Sequence, residues 1–450
     1  MELSSSQISF LERCDEARRV AFSFSDPLIV HHYDADGVSS GAIAIGAFRK
    51  AGHPHRHECI KKLDDEAIER YLSAGEGEII FVDLGGGNRR VDELKDVVII
   101  DHHQTEGIGK MQANPMLFGI DGGDELSASG TACCVFKDRP DLAVVGAVGD
   151  MQSPLRGMNR YVLDTGIGQG VVKVEDDLRF YGRYCRPLVQ FLSYCDDPYI
   201  PGISFREDKA SELILELRIP LEKGGTQKRV YADLDQDEKT RLVSALTRIL
   251  ANAGRRSIDL IGESYIFPAH LKDETYEANE FSTLLNACGR HGKPDIGLGV
   301  CLGDPGSIEQ ARALLLQHRR MLREGISYAN SSIQDLGPFF FLDGRGIVDE
   351  GLIGVVCGMA VQQSWDKPII GIASGDNDTI KTSARSPRSL VQKGLNLGAI
   401  QKEASAKAGG IGGGHRIAAG SSIPKAMLNE YLLEAGRLVS KETGYPMEQG

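Results

Sequence analysis

Val97-Val98-Ile99-Ile100-Asp101-His102-His103 decides how this chain is read. A short run of Val and Ile reads as a buried strand. The Asp and two His that follow at once then stand at its carboxyl end. Two other runs end the same way: Leu28-Ile29-Val30 leads into His31-His32-Tyr33-Asp34-Ala35-Asp36-Gly37, and Ile79-Ile80-Phe81-Val82 into Asp83-Leu84-Gly85-Gly86-Gly87. In open parallel sheets ligands bind beyond the carboxyl ends of the strands, so three strand ends direct Asp and His toward one crevice. Asp150, closing the small-residue run Gly146-Ala147-Val148-Gly149, reads as a fourth such end. Carboxylates and imidazoles without a thiolate suit Mn²⁺ or Mg²⁺ better than a structural zinc. His32, Asp34, Asp36, Asp83, His102 and Asp150 are the expected metal ligands. His31 would point to the opposite face of its strand and is read as structural.

Outward from these motifs, helical and extended patterns alternate. Helical spacing runs from Ile8 to Phe22, and a helix is expected from Gly37 onward. A strand near residues 57–60, a helix over 64–72 and a short helix near 91–94 complete the alternation, and another helix is expected to start at Ser129, capped by a Ser. Strands alternating with helices imply an α/β fold with a parallel sheet. Turn-rich signals at Asp196-Asp197-Pro198 and Gly337-Pro338 divide the chain into expected domains of residues 1–190, 191–335 and 336–450. The middle domain carries helical patterns near 210–217, 239–250 and 308–323, the last read as a charged surface helix. The third opens on the strand Phe339-Phe340-Phe341-Leu342, followed by a helix over 352–360 and a strand over 368–373.

A chain of 450 residues exceeds one ordinary core, and 41% hydrophobic with 25% charged residues is a globular composition. No apolar run reaches membrane-spanning length and the first residues lack the pattern of a signal peptide, so a cytoplasmic location is expected. Nine scattered cysteines without Cys-x-x-Cys fit reduced thiols. A net charge of −12 argues against a general nucleic-acid coat but leaves room for local basic tracks, expected at Asn88-Arg89-Arg90 and over 381–393. His53, His55, His57 and Cys59 alternate, but are read as a surface turn feeding an edge strand rather than a zinc site. Cys133 and Cys134 are read as helix core.

In this order, His-x-Asp-x-Asp-Gly, an Asp after a strand, Asp-His-His and Gly-x-x-x-Asp resemble the motifs of the DHH phosphoesterases. Gly412-Gly413-Gly414-His415-Arg416-Ile417-Ala418-Ala419-Gly420 resembles the nucleic-acid-handling motif of the domain that accompanies them. With the long insert containing Phe281 to Arg290, the whole chain is similar to the archaeal RecJ-like single-strand exonucleases. The resemblance implies a parallel-sheet DHH catalytic domain, an α+β insert and a smaller α/β DHH-associated domain flanking an active-site groove. It implies two ions, Mn²⁺ with Mg²⁺ as the alternative. His32, Asp34 and Asp83 would hold one; Asp36, Asp83, His102 and Asp150 would hold the other. Bacterial RecJ-like chains tend to carry Asp where this chain has His32, which bears on metal preference. Asp101 is expected to orient His102 or a neighbouring imidazole, and His103 to face the scissile phosphate, the bland reading being a structural hydrogen bond. Lys381, Ser383, Arg385, Gly412, Gly413, Gly414, His415 and Arg416 are the expected substrate-binding residues. The glycine run is read as a loop offering N–H groups to phosphate, with 381–386 as its partner strand.

The implied activity is metal-dependent exonucleolytic hydrolysis of single-stranded DNA, with RNA left open, from the 5′ end, in replication or repair. Archaeal relatives associate with the GINS complex, and the insert would be the docking surface. Two other readings stay open: a phosphodiesterase of short oligonucleotides or cyclic dinucleotides, and a replisome scaffold.

Overall fold

The computed structural model describes residues 3–195, 198–254, 256, 260–360, 366–376 and 378–446, so Asp196 and Asp197 of the first boundary signal lie outside the described residues. Two units divide the chain, Met1–Leu315 and Leu316–Gly450.

In the first unit, β1 (Leu28–His32), β2 (Arg56–Ile60), β3 (Glu78–Val82), β4 (Asp96–Ile100) and β5 (Met111–Ala113) form a parallel sheet in the order β2-β1-β3-β4-β5. Both faces are covered, which is why β1, β3 and β4 read as unbroken apolar runs rather than alternating ones. Leu28, Val30, Ile79, Phe81, Val97 and Ile99 share one core with Ile68 and Tyr71, both carried by the helix Asp65–Ala74. Ile29, Ile80, Val82, Val98 and Ile100 share the other with α1 (Ser5–Ala21), α2 (Ala35–Lys50), α4 (Ala128–Phe136) and α5 (Pro140–Gly149), the helix Asp65–Ala74 being α3. Val82 lies beside both His31 and Ile100, so the chain leaves β1, β3 and β4 at one level. β2 is an edge strand, as the reading of a surface turn feeding one expects.

Two local expectations shift. The cap of α4 is Ser127, whose side chain accepts the Gly130 N–H; Ser129 sits inside the first turn. Asp150 ends the helix α5, not a strand. The small residues before it serve helix packing. A Cβ at Gly146 would lie 2.3 Å from Asp36 Oδ1 and 2.1 Å from Ser129 Oγ, so only glycine lets α5 approach the site this closely.

Packing also divides residues 191–335. After α6 (Gly157–Gly168) and β6 (Lys173–Leu178), the helices α7 (Leu188–Ser193), α8 (Glu207–Glu216) and α9 (Gln236–Asn252) enclose a small core of their own, with Phe191, Tyr231 and Leu246 at its centre. A two-stranded ribbon, β7 (Glu222–Lys223) and β8 (Gln227–Lys228), lies within this stretch. β9 (Ile261–Ile266) returns antiparallel to β6. α10 (Ala278–Arg290) and α11 (Pro294–Cys301) then join the first core through Phe281, Leu284, Leu285 and Leu298. α12 (Ser307–Ser332) outruns its sequence pattern. Ala311 and Leu315 enter the first core, His318 is buried, and Arg312 pairs with Asp273 and Glu274, so only part of its surface is free.

The second unit is a mixed sheet of β10 (Gln334–Asp335), β11 (Phe340–Asp343), β12 (Ile369–Ser374), β13 (Thr379–Arg385), β14 (Ile411–Gly414) and β15 (Ala418–Pro424), ordered β10-β11-β12-β13-β15-β14. β11 and β12 run parallel; the other pairings are antiparallel. α13 (Ile353–Ala360) packs on one face. α14 (Arg388–Gln392), α15 (Leu397–Lys407) and α16 (Leu428–Thr443) supply the core on the other. Among the described residues, no helix is long and apolar enough to cross a membrane.

Candidate metal centre

The six expected ligands converge at the carboxyl ends of β1, β3 and β4. His32 closes β1. Asp34 caps α2, spending Oδ1 on the Gly37 N–H and leaving Oδ2 free to face His32 Nδ1 at 3.1 Å. Such a cap contributes about 1 kcal/mol to the helix. Asp36, in the first turn of α2, is buried and receives the Ala128 and Ser129 N–H groups at 2.7 and 3.0 Å, so the amino end of α4 holds it. Asp83 follows β3 with a φ of 60°, a left-handed conformation that costs a non-glycine residue about 1 kcal/mol or more and aims its carboxylate back at the centre. Its Oδ2 lies 3.4 Å from His32 Nδ1, and its Oδ1 lies 3.4 Å from His102 Nε2. His102 Nε2 is also 3.6 Å from Asp150 and 3.9 Å from Asp36.

Both imidazoles have their protons placed by the backbone. His32 Nε2 lies 3.1 Å from the Lys61 carbonyl and His102 Nδ1 lies 2.7 Å from the Gly122 carbonyl. A carbonyl only accepts, so each ring donates outward and turns a lone pair on its other nitrogen toward carboxylate oxygens. Acceptors facing acceptors repel unless positive charge lies between them. The electrostatics of the site agree. Burial, with Asp83 and Asp150, pushes the Asp36 carboxyl up to about 7. Burial opposes charge on His102, but Asp83, Asp150 and Asp36 outweigh it and raise that imidazole well above its usual range. Without a cation the cluster would gather protons. Oxygen and imidazole donors fit a divalent ion of the Mn²⁺ or Mg²⁺ kind.

Asp101 lies beside Asp83, His102 and His103, but both of its oxygens are taken up by hydrogen bonds. Its Oδ2 accepts the Gly86 N–H at 2.9 Å, and its Oδ1 accepts the His102 N–H and His103 Nδ1–H, each at 2.8 Å. It therefore orients the ring of His103 rather than that of His102. This leaves His103 Nε2 free on a side chain that is 56% exposed. Burial works against charge on His103, but Asp101 and then Asp83 raise it to about 9.

The expected substrate-binding residues all lie in the second unit. Lys381, Ser383 and Arg385 share the face of β13 opposite Thr382 and Ala384, and Gly354 of α13 closely approaches the Arg385 guanidinium. The glycine run is a strand, not a loop: β14 pairs with β15, and β15 separates it from β13. Backbone pairing makes that strand regardless of what its side chains are. Gly413, Gly420 and Ser383 thereby form one row across three strands. The turn between β14 and β15 holds exposed His415 and Arg416, and Ser386 N–H reaches the Ile417 carbonyl beside it. Of the expected basic tracks, Arg90 is taken up by Glu69 and Glu93.

Several contributors had no sequence signal. The Lys61 and Gly122 groups act through backbone carbonyls, which any residue supplies. Asn286 of α10 accepts the Ala35 N–H at 3.0 Å and so fixes the start of α2 from 251 positions away.

Three family profiles match the chain: the DHH family N-terminal domain over residues 27–143, the DHH-CID domain over 180–260 and the DHHA1 domain over 337–441. An uncharacterized protein of Methanocaldococcus jannaschii is 28% identical, over 96% of this chain and 99% of its own length. Two of the solved structures that share the fold cover nearly all of this chain. CDC45 from Entamoeba histolytica has a TM-score of 0.64 at 15% identity, covering 96% of this chain and 99% of that one. RecJ from Thermus thermophilus, in complex with Mn²⁺, has a TM-score of 0.61 at 16% identity over 97% of this chain, which spans 55% of that RecJ. With its domains in this order and an Asp/His cluster built to hold divalent metal, the chain is a member of the DHH phosphoesterase superfamily.

Proposed function

We propose that this phosphoesterase is a two-ion exonuclease of single-stranded nucleic acid, DNA in the first instance. One observation carries the reading: the two oxygens of Asp83 face two separate donor sets, His32 with Asp34 and His102 with Asp36 and Asp150. A carboxylate so placed is suited to bridging two ions. Divalent ions there would lower the pKa of a water and absorb charge on the phosphate. His103, oriented by Asp101 and open to solvent, faces the scissile phosphate and exchanges a proton through Nε2. In the second unit, the row Gly413, Gly420 and Ser383, with Arg385, His415 and Arg416 at its end, lets backbone amides and cations approach a phosphate chain. The contacts go to backbone rather than base edges, so sequence preference is low.

Digestion of 5′- and 3′-labelled DNA and RNA oligomers with Mn²⁺, beside a dinucleotide and a cyclic dinucleotide, tests this. Stepwise shortening of long DNA strands from the 5′ end is expected. Cleavage of the dinucleotides alone would hand the site to the small-substrate reading. If a replisome partner such as GINS docks on the insert through α12, it would use the exposed part of that helix, since Ala311 and Leu315 are core. Charge reversal at Arg320 and Arg323, not deletion, is therefore the variant that should weaken its capture in a pull-down.

A further inference from the structure

The stretch after α5 turns two side chains inward and one outward. Met151 adopts a φ of 60° and is 81% exposed, while Asp150 before it and Gln152 after it both face the centre. Gln152 is 2% exposed and uses its whole amide. Its Nε2 donates to the Gly122 carbonyl at 2.9 Å, the same oxygen that receives His102 Nδ1–H at 2.7 Å. The same nitrogen reaches Asp150 Oδ2 at 3.3 Å. Both of those partners only accept, which fixes the amide's orientation. Its Oε1 accepts from Asn159 Nδ2 at 2.6 Å, and Asn159 Oδ1 accepts the Ser127 N–H at 3.3 Å, one residue before the turn that holds Asp36.

Resting on the two-ion reading, we propose that Gln152 is the positioning residue of the second ion, setting His102, Asp150 and, through Asn159 and the start of α4, Asp36 in one coordination geometry. All three members of that donor set hang on this chain of buried amides. His32 and Asp34 do not; they are fixed by the Lys61 carbonyl and the α2 cap. A carboxylate at 152 could not donate, and an apolar side chain could do neither job. Gln152 thus acts on one ion and leaves the other alone.

The test is a calorimetric Mn²⁺ titration of the metal-stripped full chain, with melting curves of the metal-free proteins alongside. Wild type should bind two ions. Gln152→Met should weaken one site about 10- to 100-fold, the range for lost outer partners of metal ligands, and leave the other site near its wild-type affinity. Asn159→Leu, one bond further out, should weaken the same site by less, and serves if Gln152→Met folds poorly. Equal weakening of both sites alongside a lowered melting point would mean a packing role and overturn the proposal. Two unchanged sites in both variants would also overturn it while leaving the two-ion reading intact. A wild type that binds no Mn²⁺ would remove both.

Discussion

The metal centre of the first unit and the glycine-rich face of the second solve opposite problems. Around Asp83, four ligands are anchored on their far sides: His32 and His102 to carbonyls, Asp34 to its own helix, Asp36 to the start of α4. Asp36, Asp83 and His102 are buried, so packing holds them where chemistry needs tight placement. In the turn between β14 and β15, His415 and Arg416 stand in solvent, and Gly413 of β14 has nothing within 4 Å of where a side chain would begin. Rigidity is concentrated where bonds would break, and openness where a polymer would slide past.

Variants at the two regions should therefore fail differently. Asp83→Ala should bring hydrolysis to background and remove both Mn²⁺ sites in calorimetry; near-normal Mn²⁺-dependent activity would end the two-ion assignment. His103→Ala should lower kcat about a hundredfold with Mn²⁺ affinity retained, as loss of a proton-transferring group does. An unchanged kcat would reduce His103 to a structural hydrogen bond. In the second unit, Arg385→Ala and His415→Ala should each weaken strand binding about ten- to a hundredfold and flatten its salt dependence, with Mn²⁺ affinity unchanged. Fluorescence anisotropy over a salt series reads this, and equal slopes in wild type and variants would move the grip elsewhere.

A finer contrast lies within β14. A side chain at Gly413 meets open space, whereas one at Gly412 meets the Gln401 carbonyl at 2.6 Å and Ser421 Cβ at 2.7 Å. Gly413→Val should weaken strand binding with an unaltered melting point, and Gly412→Val should lower the melting point. The reverse pattern would mean that phosphate does not approach the backbone there.

The smallest effect concerns a buried carboxylate outside the metal cluster. Burial, then Glu277, pushes Glu280 of α10 up to about 7, above its ordinary 4.5. The folded state then binds a proton that the unfolded chain releases, so this residue makes stability fall as pH rises from about 4.5 to 7. Glu280→Gln keeps an acceptor for the Tyr184 N–H and removes that slope. Its melting point should match wild type near pH 4.5 and exceed it at pH 8 by roughly 1–2 °C for each kcal/mol recovered. Parallel curves at the two pH values would contradict this.

Much of the first sheet was legible because both determinants are local: runs such as Ile79 to Val82 specify strands, and Asp or His follows directly. Asp150 was found as a ligand candidate but assigned to a strand, because Gly146 to Gly149 are small for a tertiary reason, the approach of α5 to Asp36. The return of α10 and α11 to the first core depends on contacts far apart in sequence, as does the neutralisation of Arg90 by Glu69. Gln152 carried no pattern at all, since its partners are a carbonyl and two side chains placed by the fold.

Whether Asp83 bridges two ions is read in a crystal of the full chain grown with Mn²⁺ and measured at the manganese edge. Two anomalous peaks about 3.5–4 Å apart are expected. One would lie against His32 and Asp34, the other against Asp36, His102 and Asp150, with an Asp83 oxygen on each. A single peak, or two peaks that Asp83 does not join, would contradict the bridging role.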